Sequence, residues 1–240
     1  SGNVLEALGG ASFGMGAGFE TNGVGNLEVN VTGDIDLSNV SSINARTSEI
    51  SIKARGGELI TGANPLNISG ANVRFTTTEA ATNNTAGDRN IQIGSGGISG
   101  TATNLTLTSA DDVIFDGAIN VQSLSATAGD GKDGVGFVDP TSEPNALNAG
   151  RTGNNGERGG EIIVNQIITS TVGDINLTAG VGGNGAAGEM SLTTAADNND
   201  GDAGNAGGTG GVGGAGGSIT INAALNAAQD IHLTAGQGGL

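Results

Sequence analysis

Apolar and polar residues alternate along this chain in short runs, and the runs recur. From Leu27 they read Leu27-Glu-Val-Asn-Val31, Ile35-Asp-Leu37, Ile50-Ser-Ile52, Leu66-Asn-Ile68 and Val73-Arg-Phe75. Next come Ile91-Gln-Ile93, Leu105-Thr-Leu107, Val113-Ile-Phe115 and Ile119-Asn-Val121, and then Ile162-Ile-Val164, Ile175-Asn-Leu177, Ile219-Thr-Ile221 and Ile231-His-Leu233. A period of two predicts half-buried strands. The flanking Gly, Asn, Asp, Ser and Thr predict tight turns. No window keeps a helical period for more than about two turns, so little helix is expected. Residues 1–26 are different: glycine-rich, with apolars scattered at Phe13, Met15 and Phe19. This N-terminal stretch either stands apart or joins the first repeat.

The alternation is organised by an internal repeat. Gly173-Asp-Ile-Asn-Leu-Thr-Ala-Gly180 returns 56 residues later as Gln229-Asp-Ile-His-Leu-Thr-Ala-Gly236. A divergent copy, Gln122-Ser-Leu-Ser-Ala-Thr-Ala-Gly129, lies 51 residues before the first. Ahead of the two close copies stand Gly160-Glu-Ile-Ile-Val-Asn165 and Gly217-Ser-Ile-Thr-Ile-Asn222. Asn222-Ala-Ala-Leu-Asn-Ala-Ala228 favours helix by propensity, but its aligned partner Asn165-Gln-Ile-Ile-Thr-Ser-Thr171 is β-branched. Both are therefore read as strand and turn.

Core units of about 20 residues match the coil of a β-solenoid. The predicted fold is all-β: a right-handed parallel β-helix over residues 27–240, whose roughly eight coils, rising about 4.8 Å each, make a rod about 40 Å long. A propeller is the chief rival, but its usual aromatic blade signatures are missing. Glycine-rich inserts interrupt the coils at 130–158, 181–189 and 197–216. The first two follow a Thr-Ala-Gly exit, at Gly129 and Gly180, and the same exit recurs at Gly236. Two readings are open: flexible loops, or rods leaving one corner of successive coils and stacking as polyglycine II, which only glycine permits.

Composition narrows the function classes. Of 240 residues 47 are Gly, aromatics are 2%, and Trp, Tyr and Cys are absent. With 3 Pro and no strict period of three along the whole chain, collagen is excluded. A net charge of −16 argues against nucleic acid and anionic membranes as partners. No run of about 18 apolar residues exists to insert into a membrane. The first residues lack the features of a signal peptide, and the chain stops in mid-repeat at Gln237-Gly-Gly-Leu240, so we expect a piece of something longer.

Candidate chemistry is sparse. His232, the single histidine, falls on a predicted strand surface. One histidine and no cysteine leave no nucleophilic triad beyond it and too few nitrogen and sulfur ligands for structural zinc. Paired carboxylates for glycoside cleavage would be Asp111 with Asp112 or Asp34 with Asp36. Both pairs read as turn or solvent-face residues, so catalysis is not expected. Asp197-Asn-Asn-Asp-Gly-Asp202 is the best calcium candidate, with Asp197, Asp200 and Asp202 as ligands. It departs from the EF-hand pattern, having glycine at the fifth position and Gly208 at the twelfth. No other cofactor is indicated.

The Asp-Ile-Asn/His-Leu-Thr-Ala-Gly runs at 174–180 and 230–236 resemble the repeats of filamentous-haemagglutinin-like exoproteins, giant bacterial surface adhesins built of β-strand repeats. The likeness is clear from about residue 104 onward and looser over 27–103. That family's N-terminal secretion domain is not recognisable here, and the glycine inserts are heavier than usual. The resemblance implies a structural or adhesive segment of a large secreted or cell-surface protein, acting as a rod or fibre. Its partners would be neighbouring repeats, further copies of itself, surface glycans, or host or neighbouring cells. Two alternatives from other classes are a self-assembling filament or sheath subunit, and a β-helix that binds or cleaves polysaccharide.

Overall fold

The computed structural model describes residues 3–7, 13–14, 18–20, 26–44, 49–79, 89–134, 153–187 and 209–240. Among them there is no helix. The first coil holds β1 (Asn3–Ala7), β2 (Phe13–Gly14) and β3 (Gly18–Glu20). The second holds β4 (Leu27–Thr32), β5 (Ile35–Asp36) and β6 (Ser42–Asn44), the third β7 (Glu49–Arg55), β8 (Leu59–Ile60) and β9 (Leu66–Ser69). The fourth has β10 (Asn72–Thr78), β11 (Ile91–Ile93) and the start of β12 (Ile98–Thr108). Strand β12 runs on into the fifth, with β13 (Val113–Phe115) and the start of β14 (Ile119–Thr127). The sixth takes the end of β14, then β15 (Ile162–Val164) and β16 (Ile168–Ser170). The seventh has β17 (Ile175–Thr178), β18 (Ile219–Ile221) and β19 (Leu225–Ala227), and β20 (Ile231–Thr234) opens an eighth.

Each strand pairs in parallel with its counterpart one coil away. Leu27 faces Ile50, Ile50 faces Val73, Val73 faces Leu105, Leu105 faces Leu124, Leu124 faces Ile175, and Ile175 faces Ile231. The middle strands of the coils form a 7-stranded sheet, and the first and third strands form one of 13. The latter is continuous because β12 and β14 each cross a corner and serve two coils. The sheet therefore curls, and β12 crosses its corner with a register shift between Gly100 and Asn104. This all-β, parallel, coil-on-coil order is compatible with the β-solenoid expected from the sequence. Residues 3–20, without a clear sequence signal, supply strands that pair with the second coil. Strand β19 lies inside the alanine-rich 222–228, where pairing with β16 overrides local propensity.

The corners follow from local chemistry. Gly33 and Gly56 stand one above the other after β4 and β7, at φ of 107° and 73°, a backbone that side chains rarely adopt. At entries to strands the exposed amides of one coil are caught by Asx side chains of the coil before. Asn26 Oδ1 accepts from Glu49 N–H, Asp34 Oδ1 from Glu58, Asn90 Oδ1 from Asp112 and Asp112 Oδ1 from Glu161.

Inward residues make columns: Val29, Ile52, Phe75, Leu107, Ala126 and Leu177 stack in register and are all buried. Ile91, Val113 and Ile162 do the same on the second face. Outward positions carry amide ladders, Asn104 to Asn72 and Asn222 to Asn165. Deleting a buried ring from a column leaves a cavity that a strand held on both sides cannot close. Phe115→Ala is expected to lower unfolding free energy by about 3–5 kcal/mol. Leu233→Ala, at a site already 48% exposed, should cost clearly less. Denaturant titration of the two variants checks the order.

Candidate functional site

Five glycine-rich segments leave the coils at one corner and lie side by side. Residues 129–134 run out after β14 and 153–160 run back to β15. Residues 180–187 run out after β17, 209–217 return to β18, and 236–240 run out after β20. None has a helix or strand partner of the ordinary kind. They bond to one another, with a period of three.

The central segment, 180–187, shows the pattern. Gly180, Gly183 and Ala186 donate to the carbonyls of Gly160, Glu157 and Asn154. The carbonyls of Gly180, Gly183 and Ala186 in turn accept from Gly217, Gly214 and Gly211. Gly182 and Gly185 donate to Gln237 and Leu240, and the carbonyls of Val181 and Asn184 accept from Gly131 and Gly134. One backbone is thus bonded to four neighbouring segments. Out-running segments are mutually parallel, as are the returning ones, and the two sets are antiparallel to each other.

This packing dictates the sequence. Of every three residues, two face neighbours and one faces out. In 209–217 the outward positions are Thr209, Val212 and Ala215, and the rest are glycine. A Cβ on Gly214 would fall on the Glu157 carbonyl oxygen, one on Gly183 on that of Lys132, and one on Gly156 on that of Gly183. None could be accommodated without moving backbone. Side chains return where the array ends: Lys132, Asn154 and Glu157, in the first layer, stand at the places that Gly183, Gly211 and Gly214 hold one layer on.

The outward position has an amide with no segment beside it. Asx side chains serve it. Asp130 Oδ1 accepts from Val181 N–H at 2.8 Å and Asp133 Oδ1 from Asn184 at 2.7 Å. Asn155 Oδ1 accepts from Val212 at 2.8 Å and Asn184 Oδ1 from Leu240 at 2.9 Å. Each stack therefore shows one outer backbone face, that of the out-running segments carrying exposed Val181 and that of the returning segments exposed Val212. The sequence left these inserts as either loops or stacked rods, and the described residues are stacked.

The other candidates are placed as follows. Asp34 and Asp112 hold backbone amides of the next coil, and Asp112 also meets Arg158 at 3.4 Å. Asp36 Oδ1 accepts from Ser38 N–H in its own turn. The carbonyl of Asp111 accepts from Gly129. His232 is exposed on β20 opposite Asn176, with the carboxylates of Asp174 and Asp230 beside it. Sequence reading aligned His232 with Asn176 but did not gather the two aspartates to it. The calcium candidates Asp197, Asp200 and Asp202 lie outside the described residues.

Comparison with known proteins found no match among family models, curated proteins or solved structures.

Two outcomes test the array. Gly214→Ala should abolish slow amide exchange at Gly211, Gly214 and Gly217, while Val212→Ser preserves it, as read by hydrogen exchange with NMR or mass spectrometry. Asp133→Ala, which strands the Asn184 amide, should cost about 1 kcal/mol of stability in denaturant titration.

Proposed function

We propose that this chain is a structural and adhesive segment of a large secreted or cell-surface bacterial repeat protein: a right-handed β-solenoid rod carrying a polyglycine II slab along one corner. The observation that carries this reading is the slab. Its glycines serve close packing of backbones, and the side chains at its outward positions, Val181, Val212 and Ala215 beside Asp130, Asp133 and Asn155, are spent on covering or capping the backbone, the three Asx oxygens each accepting an amide of the next layer. A rigid, flat face repeated coil by coil suits contact with an extended surface, such as a glycan layer or a neighbouring cell. The likeness of residues 174–180 and 230–236 to filamentous-haemagglutinin-like repeats points the same way.

The carboxylate pairs lend little to a polysaccharide-cleaving reading. Asp34 and Asp112 are engaged by backbone amides that a catalytic role would have to release. A filament-forming reading has one observation in its favour. Ile221, Ile231 and Leu233 are apolar side chains exposed on β18 and β20, and such side chains favour association. The net charge of −16 opposes it, because copies repel one another at low salt.

Electron microscopy of the purified chain, over a range of concentration and with or without millimolar calcium, separates the two. The segment reading expects short monodisperse rods about 35 Å long, seven coils at about 4.8 Å each. Long uniform fibres that grow with concentration would replace it with the filament reading.

A further inference from the structure

We propose that Asp174, Asp230 and His232 form a binding site for a divalent transition-metal ion of the zinc class, clipping the last two coils together.

Register creates the site. Strands β17 and β20 pair with Ile175 opposite Ile231 and Asn176 opposite His232. Asp174 and Asp230 therefore follow one another in the column just before the strands. Alternation along β20 puts Asp230 and His232 on the same, outward side. One ligand atom from each of the three residues lies within 4.8 Å of the other two. Asp174 is already held toward the next coil, because its Oδ1 accepts from Asp230 N–H at 3.0 Å. Its second oxygen is left for another partner.

The column itself points to a cation. In earlier coils these places hold Glu49, Asn72, Asn104 and Ser123: the one carboxylate, Glu49, meets Arg74 at 3.7 Å, and the neutral three are linked at 3.2 and 2.7 Å. The next two places hold carboxylates, directly stacked, and no ion pair reaches either of them among the described residues. Like charges on facing strand positions are destabilising. In a chain with 24 acidic and 8 basic side chains, a neutralising Lys or Arg is scarce. A bound cation removes the repulsion.

The histidine selects the ion. Calcium and magnesium take oxygen ligands, whereas imidazole suits zinc, copper and nickel. Counting cysteine and histidine alone excludes zinc, but two aspartates from neighbouring coils complete a set of one nitrogen and two oxygens. The site is exposed, so water fills the remaining positions. Its protein ligands lie 56 residues apart, so the ion would close the whole 180–217 excursion.

Titration calorimetry of the full chain with zinc chloride tests this. One zinc per chain is expected. His232→Asn installs the residue that the paired position of the preceding coil carries, so it fits the strand. It should weaken zinc binding at least tenfold with an unchanged circular dichroism spectrum. Asp230→Asn, whose side chain makes no hydrogen bond here, should weaken it comparably. Millimolar calcium should not displace the metal. Absence of saturable binding, unaltered affinity in either variant, or displacement by calcium would overturn the proposal.

Discussion

One N–H···O bond spans the gap between neighbouring coils, and that single length sets the rest of the molecule. Strands related by such a bond stand about 4.8 Å apart. Every side chain thus has a fixed neighbour above and below. The columns of Ile, Leu and Val follow, as do the amide ladders and the Asx side chains that reach up one coil to a backbone N–H. The glycine segments join without strain because they too are stacked by one N–H···O bond per layer. Gly131 bonds upward to Val181 just as β14 bonds upward to β17. Sheet and slab share a repeat distance, so the coils and their excursions stay in step.

The two halves reach stability by different routes. The coils bury apolar side chains, with Phe75 between Ile52 and Leu107, and Ala126 beneath Leu177. The slab has almost no side chains to bury. It satisfies backbone donors and acceptors on several sides while excluding water from them. Glycine makes that approach possible, at the cost of the largest loss of chain freedom on ordering. Attachment to the parallel sheets offsets that cost in part, since each segment starts from a corner already aligned with the one before.

Much of this was legible in the sequence because the repeat and the alternation are the same signal. All thirteen alternating runs from Leu27 onward fall on strands, with only Leu37 lying one residue past the end of its strand. The misses are physical. Leu59–Ile60 and Ser42–Asn44 are too short to show a period, and the strands of residues 3–20 lie among glycines. The glycine array was legible only as one of two readings, because composition alone does not tell a loop from a lattice. The exits after Thr-Ala-Gly were the clue. The Asx bonds were invisible, since their partners lie 22 to 57 residues apart. The Asp174, Asp230 and His232 group was half visible: the alignment placed 174 over 230, but stacking had to be known before alignment became contact.

The slab's three-residue period has a bearing on how such a gene can change. Inserting one residue within 209–217 would turn every later outward side chain by a third of a turn, driving Val212 or Ala215 into a space sized for hydrogen. Inserting three restores the pattern. Length variation inside these segments should therefore survive in steps of nine nucleotides. A coil, whose strands alternate by two, obeys no such rule.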